Sequence, residues 1–103
     1  MSENSPTARI LVADDERSIR WVLSEALTAD GHQVSEAATG TDALAILNRG
    51  ATDVAFLDIR MPGATGLEVA EALAEDWPDD APLPLLVFVT AYDQYAVEAF
   101  DRA

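Results

Sequence analysis

Apolar residues along this chain alternate between short unbroken runs and longer stretches in which they recur every three or four positions. The runs are Ile10-Leu11-Val12-Ala13, Val54-Ala55-Phe56-Leu57 and Leu85-Leu86-Val87-Phe88-Val89. Runs this short and this rich in β-branched side chains predict strands buried on both faces, as in a parallel sheet. A weaker strand is predicted over residues 33–36. The spacing of Ile19, Val22, Leu23, Ala26 and Leu27 predicts a helix over 16–29, with Gly31 as its left-handed C-terminal cap. Thr39-Gly40-Thr41-Asp42 opens a second predicted helix that runs through Asn48, buries Ala43, Leu44, Ile46 and Leu47, and stops at Gly50. Thr65, followed three residues later by Glu68, forms a capping box for a third helix reaching about Asp76, with Leu67, Val69, Ala70 and Leu73 as its inner face. The acidic, proline-rich stretch 77–84 excludes regular structure. A last amphipathic helix is predicted from Asp93, carrying Tyr95, Ala96, Val97, Ala99 and Phe100. The order β-α-β-α-β-α-β-α predicts an α/β fold: a doubly wound parallel sheet with right-handed crossovers and helices on both faces.

The polar positions matter most where the runs end. Asp14 and Asp15 follow the first run, Asp58 ends the second, and Thr90 follows the last. Ligand crevices of open α/β sheets lie at the carboxyl ends of the strands. These three carboxylates and one hydroxyl are therefore expected to converge. Clustered carboxylates repel, so at least one should hold its proton more tightly. A hard divalent cation such as Mg²⁺ relieves the repulsion, since it takes oxygen ligands and retains waters. Beside such an ion Asp58 is suited to attack phosphorus and form an acyl phosphate. One Asp after a strand is as readily a turn former, and Asp15 or Glu16 would serve as a helix cap. Three of them at strand ends make a shared site the better reading. Trp21 is read as partly exposed, His32 as a solvated loop residue, and residues 75–80 as a solvated acidic loop.

Composition narrows the classes. At 103 residues, 50% of them hydrophobic, the chain fits one domain with a real core. It has no cysteine, so disulfides and thiolate chemistry are excluded. No apolar stretch approaches the ~20 residues that span a bilayer, and the polar start lacks a signal-peptide pattern. A soluble, cytoplasmic protein with no membrane association is expected. The net charge of −13 repels nucleic-acid phosphates, so direct nucleic-acid binding is not expected. All six basic residues are arginines, and the chain contains no lysine.

Through Asp14-Asp15-Glu16, Asp58-Ile59-Arg60-Met61-Pro62-Gly63, Gly66 and Thr90-Ala91, the sequence resembles the receiver domain of bacterial response regulators, partners of histidine kinases in two-component signalling. The resemblance covers essentially everything after a disordered leader over 1–8. It implies a flavodoxin-like fold and a phosphoacceptor domain rather than an enzyme. Asp58 would be the phosphoacceptor and Thr90 the switch hydroxyl. Asp15 and Asp58 would bind Mg²⁺ through their side chains, Arg60 through its backbone carbonyl, and Asp14 largely through water. Met61 and Pro62 would shape the adjoining loop.

Receivers carry five β-α units, whereas four strand patterns are legible here. Residues 9–103 are therefore expected to form an incomplete receiver with strand order 2-1-3-4, without the phosphate-binding lysine of a fifth strand. That lysine ordinarily pairs with the phosphorylated aspartate. The fourth strand would become an apolar edge, and a homodimer or larger self-associated species is expected. Residues 9–50 resemble receivers of the nitrogen-regulation type and residues 55–103 those attached to LytTR-type DNA-binding domains, so an engineered or chimeric fragment without signalling activity is the alternative. A Mg²⁺-dependent phosphohydrolase is the weakest alternative, because Arg60 stands where that class places a second acid.

Overall fold

The computed structural model describes residues 7–89, in which strand and helix alternate: β1 (Arg9–Ala13), α1 (Arg17–Ala29), β2 (Gln33–Ala37), α2 (Gly40–Leu47), β3 (Val54–Asp58), α3 (Gly66–Asp76) and β4 (Leu85–Val89). The four strands form one parallel sheet in the order β2-β1-β3-β4, as expected. Ile10 lies opposite Val34 on one side and Val54 on the other, and Asp58 lies opposite Val89. Thr90 and the helix expected from Asp93 fall outside the described residues.

The core follows from the two-residue period of the strands. Leu11 and Ala13 of β1 and Ala55 and Leu57 of β3 face one way. There they pack with Ala43 and Leu47 of α2, Val69 and Leu73 of α3, and Met61. Ile10 and Val12 alternate to the other face and are also buried, on the side where α1 packs against β1 and β2. The crossover from β1 to β2 moves along the sheet in the opposite sense to those from β2 to β3 and from β3 to β4. A fixed right-handed connection therefore sends α1 to one face and α2 and α3 to the other. Leu11, Leu47, Leu57 and Leu73 are fully buried, each stabilising the fold by about 2–3 kcal/mol.

The helix boundaries have local chemical causes. Gly31 adopts φ +92° and donates to Thr28 O at 2.9 Å, closing α1. Thr39 Oγ1 accepts Asp42 N–H at 3.1 Å at the start of α2. Gly50, at φ +78°, donates to Leu47 O at 3.1 Å just past its end. Both halves of the Thr65–Glu68 capping box form, at 3.1 and 2.9 Å. α1 differs, since Glu16 is its N-cap residue yet makes no side-chain capping bond. Residues 77–84 contain no helix or strand, and Trp77 Nε1 donates to Ala81 O at 3.0 Å across them.

Some expectations change. Leu67, placed on the inner face of α3, is 52% exposed. Gly66, Val69, Ala70 and Leu73 hold the inner stripe, and Leu67 sits one helical step off it. In α1, Trp21 is exposed as expected, but so are Val22 and Ala26, while Leu23 and Leu27 are half-buried. The apolar stripe of α1 is wider than the two strands it covers. His32 is a staple rather than a solvated residue: its Nδ1 accepts Ala8 N–H at 3.1 Å. Ala8, assigned to the leader, also accepts Gln33 N–H at 3.0 Å.

Candidate functional site

Three carboxylates meet at the carboxyl end of the sheet, each placed by the strand before it. Asp14 follows β1, and its N–H continues the ladder to Ala37 O at 3.0 Å. Asp58 is the last residue of β3, and the next N–H, from Ile59, reaches Val89 O at 3.3 Å. Asp15 stands one residue beyond Asp14 at the exposed rim, whereas Asp14 and Asp58 are each only 3% exposed. One carboxylate oxygen from each of the three lies within 4.8 Å of the other two. The structure thus brings together Asp14, Asp15 and Asp58, the acidic residues singled out from the sequence.

Neighbouring backbone groups orient these side chains without neutralising them. Asp14 Oδ1 accepts Glu16 N–H at 2.9 Å, and Asp58 Oδ1 accepts Arg60 N–H at 3.4 Å, a long bond. The ion pairs Arg9–Asp53 and Arg20–Glu36 use none of the pocket carboxylates. Burial therefore pushes the Asp58 carboxyl up from 3.8 to about 6, with Asp14 and then Asp15 adding repulsion and the Arg60 N–H opposing them. A buried carboxylate beside two others suits a bound cation.

Three further residues fix the walls; Met61 and Gly66 were expected there, and Arg20 was not. Arg20 Nη1 donates to Asp14 O at 2.8 Å while its Nε pairs with Glu36 at 3.3 Å. One guanidinium thus ties the β1–α1 connection to β2. A basic residue six positions after Asp14, in the first turns of the helix, was the available signal. Met61 is 8% exposed and belongs to the core, which anchors the loop after β3 from within. Gly66 N–H closes that loop onto Ile59 O at 3.0 Å.

The donor set fits Mg²⁺. All donors are hard oxygens, and the 4.8 Å span is close to the ~4 Å between opposite ligands of an octahedral ion with bonds of about 2.1 Å, leaving room for retained water. The Asp58 carboxylate would gain from such an ion, since burial and then the neighbouring Asp14 and Asp15 raise the cost of its ionised form. Thr90 lies outside the described residues. Among those residues no helix is long and apolar enough to cross a membrane.

A family model described as "Response regulator receiver domain" matches residues 10–103. Among curated relatives, the positive alginate biosynthesis regulatory protein of Pseudomonas aeruginosa is 42% identical over 95 residues, covering 89% of this chain and 37% of that protein. An uncharacterised response regulatory protein of Vibrio cholerae is 41% identical over 93 residues, covering 88% of this chain and 37% of its own length. The chain thus spans under two fifths of these relatives. Among solved structures, the response regulator TrrA of Thermotoga maritima, in complex with Mg²⁺ and BeF, superposes with TM-score 0.72 at 39% identity, covering 89% of this chain and 76% of that one. A CheY-like receiver domain from Methanospirillum hungatei superposes with TM-score 0.73 at 27% identity, covering 94% and 74%.

Proposed function

The chain belongs to the response regulator receiver domain family, and from that premise we propose that it accepts a phosphoryl group on Asp58 from a phosphohistidine of a histidine kinase. The observation that carries this reading is the convergence of Asp14, Asp15 and Asp58 within 4.8 Å on a buried carboxylate whose proton affinity is raised. An Asp58 oxygen attacks phosphorus, the P–N bond to the donor imidazole breaks, and the leaving nitrogen keeps the bonding pair. The product is an aspartyl phosphate. Asp14, Asp15, Asp58 and the Arg60 backbone carbonyl are the groups that would hold Mg²⁺. Bound there, the ion would offset the charge of the incoming phosphoryl oxygens. Thr90, the first residue after β4, is proposed as the hydroxyl that meets the transferred group. The complex of TrrA with Mg²⁺ and BeF supports the same cation and phosphoryl chemistry here.

The test is incubation with Mg²⁺ and a small phosphodonor such as phosphoramidate, followed by peptide mass analysis. One added phosphoryl group on the peptide containing Asp58 is expected. Modification elsewhere, or none in protein shown to bind Mg²⁺, removes the acceptor assignment.

The expected self-association rests on β4, whose outer edge pairs with no strand among the described residues and whose Leu85 is 63% exposed. Concentration-dependent light scattering tests it, and a stable monomer would remove it.

A further inference from the structure

The tightest packing beside the carboxylates joins the start of α2 to the loop after β3. Gly40, the first residue of α2, is buried, and its N–H donates to Pro62 O at 3.0 Å. A Cβ added to Gly40 would collide with the carbonyl oxygen of Ala64, with the carbonyl carbon 2.6 Å and the Cα 2.9 Å away. Those atoms are backbone, so no side-chain rotation can relieve the overlap. One step along the same loop, a Cβ on Gly63 would stand 2.6 Å from Thr41 Oγ1. The first turn of α2 and the segment 62–64 therefore lie backbone to backbone.

This loop is the arm that carries the acceptor. Its near end is Asp58-Ile59-Arg60, its middle is anchored by buried Met61, and its far end returns through Gly66 N–H to Ile59 O at 3.0 Å. A Cβ on Gly66 would stand 2.5 Å from the Asp58 carbonyl oxygen. Held at both ends and in the middle, the loop cannot give way locally when pushed at Ala64. We propose that Gly40 is a positioning residue for the acceptor site. Its missing side chain lets α2 brace the loop so that the Asp58 carboxylate and the Arg60 peptide keep the mutual placement that cation and phosphoryl binding need. Thr39, by capping α2, holds the brace in place. The inference rests on the acceptor reading above.

The experiment compares wild type, Gly40→Ala, Thr39→Ala and Gly31→Ala by calorimetric titration with Mg²⁺ alone and by backbone amide shifts of the metal-free proteins. Gly31, at φ +92° with nothing within 4 Å of an added Cβ, is the control for lost stability without a collision. Gly40→Ala is expected to weaken Mg²⁺ binding about tenfold, the scale for removing an outer support of a metal site. It should also shift the amides of residues 58–66. Thr39→Ala should do the same more weakly, and Gly31→Ala neither. Folded Gly40→Ala with unchanged Mg²⁺ affinity overturns the inference, as does an equal loss in Gly31→Ala. If Gly40→Ala does not fold, Thr39→Ala decides by the same two readouts. Wild type that binds no Mg²⁺ would sink the acceptor reading instead, while the metal-free amide shifts would still decide the role of Gly40.

Discussion

Asp53 and Asp58 bracket a single strand, β3, and the two ends of that strand treat the same side chain in opposite ways. At the amino end Asp53 Oδ2 accepts the Arg9 N–H at 2.8 Å and faces Arg9 Nε at 3.4 Å. The Arg9 backbone N–H, then its guanidinium, holds that carboxyl below the usual range. At the carboxyl end burial and then Asp14 raise Asp58 to about 6. One carboxylate staples two strands together; the other is kept where its charge is unwelcome. The sheet is tied together by a carboxylate at its amino end, and its clustered carboxylates stand at the end where a cation and a phosphoryl group are proposed to bind.

The largest expected effect breaks this comparison outright. Asp58→Asn should abolish the phosphoryl or beryllofluoride adduct completely, because the amide has no lone pair basic enough to form an acyl phosphate. Asp53→Asn should leave the adduct intact. Peptide mass analysis after phosphodonor treatment distinguishes them. Equal labelling of both variants would mean that the two ends do not differ in the proposed way.

Stability should respond next. Asp58 in the folded protein titrates at about 6, above its ordinary value of 3.8, so the native state binds this proton more tightly than the unfolded chain does. The resulting contribution favours folding fully below pH 3.8 and is lost as pH rises through about 6. Its size is about 1–3 kcal/mol, after allowing for water at the rim. In metal-free buffer near neutral pH, Asp58→Asn should therefore be more stable than wild type by that amount in denaturant unfolding. Millimolar Mg²⁺ should narrow or reverse the gap by binding only the wild-type folded state. A metal-free Asp58→Asn protein less stable than wild type at neutral pH would contradict the strained-carboxylate account.

Much of this was legible in the sequence because the informative signals were local. Strand runs, the Thr65–Glu68 box and the glycines after α1 and α2 each act within a few residues, and each element forms where it was read; the run Leu85–Val89, read as buried on both faces, is instead only half-buried, with Leu85 and Phe88 exposed. Alternation of strands and helices gave the parallel sheet with helices on both faces, whereas the order β2-β1-β3-β4 was expected only from the resemblance to receivers. The carboxylate cluster was legible because strand ends are forced to meet at one rim. What escaped depends on partners distant in the chain. His32 reads as a loop histidine until Ala8 is placed 24 residues away against its Nδ1. Leu67 counts as apolar in any window, yet only the packing of Val69 and Leu73 decides that it faces outward. The approach of Gly40 to Ala64 joins a helix start and a loop that no periodicity connects.

A milder perturbation acts on the scaffold rather than on either aspartate. Thr65→Ala removes one half of the capping box at the start of α3 and should lower stability by about 1 kcal/mol. The helix begins eight residues after Asp58, but Gly66 N–H, bonded to Ile59 O at 3.0 Å, holds the loop independently of the cap. Mg²⁺ affinity is therefore expected to stay close to wild type in Thr65→Ala. A large loss would mean that the cap, rather than the glycine contacts, sets the loop.

The smallest effect is expected at the amino end, and it completes the contrast with Asp58. Because the Asp53 carboxyl is held low, its contribution is present above its ordinary value of 3.8 and fades as pH falls through the folded value. Asp53→Asn should flatten the acid limb of the stability profile while leaving the region near pH 6 unchanged. The Arg9 and Asp53 side chains are 55% and 46% exposed, so solvent and salt screen the charged part of the contact. The Asn amide oxygen can still accept the Arg9 N–H, so Asp53→Ala should lose more than Asp53→Asn, and added salt should not erase that difference. If salt abolishes it, the bond from Arg9 to Asp53 is purely an ion pair, and the amino end is held by the strand ladder alone.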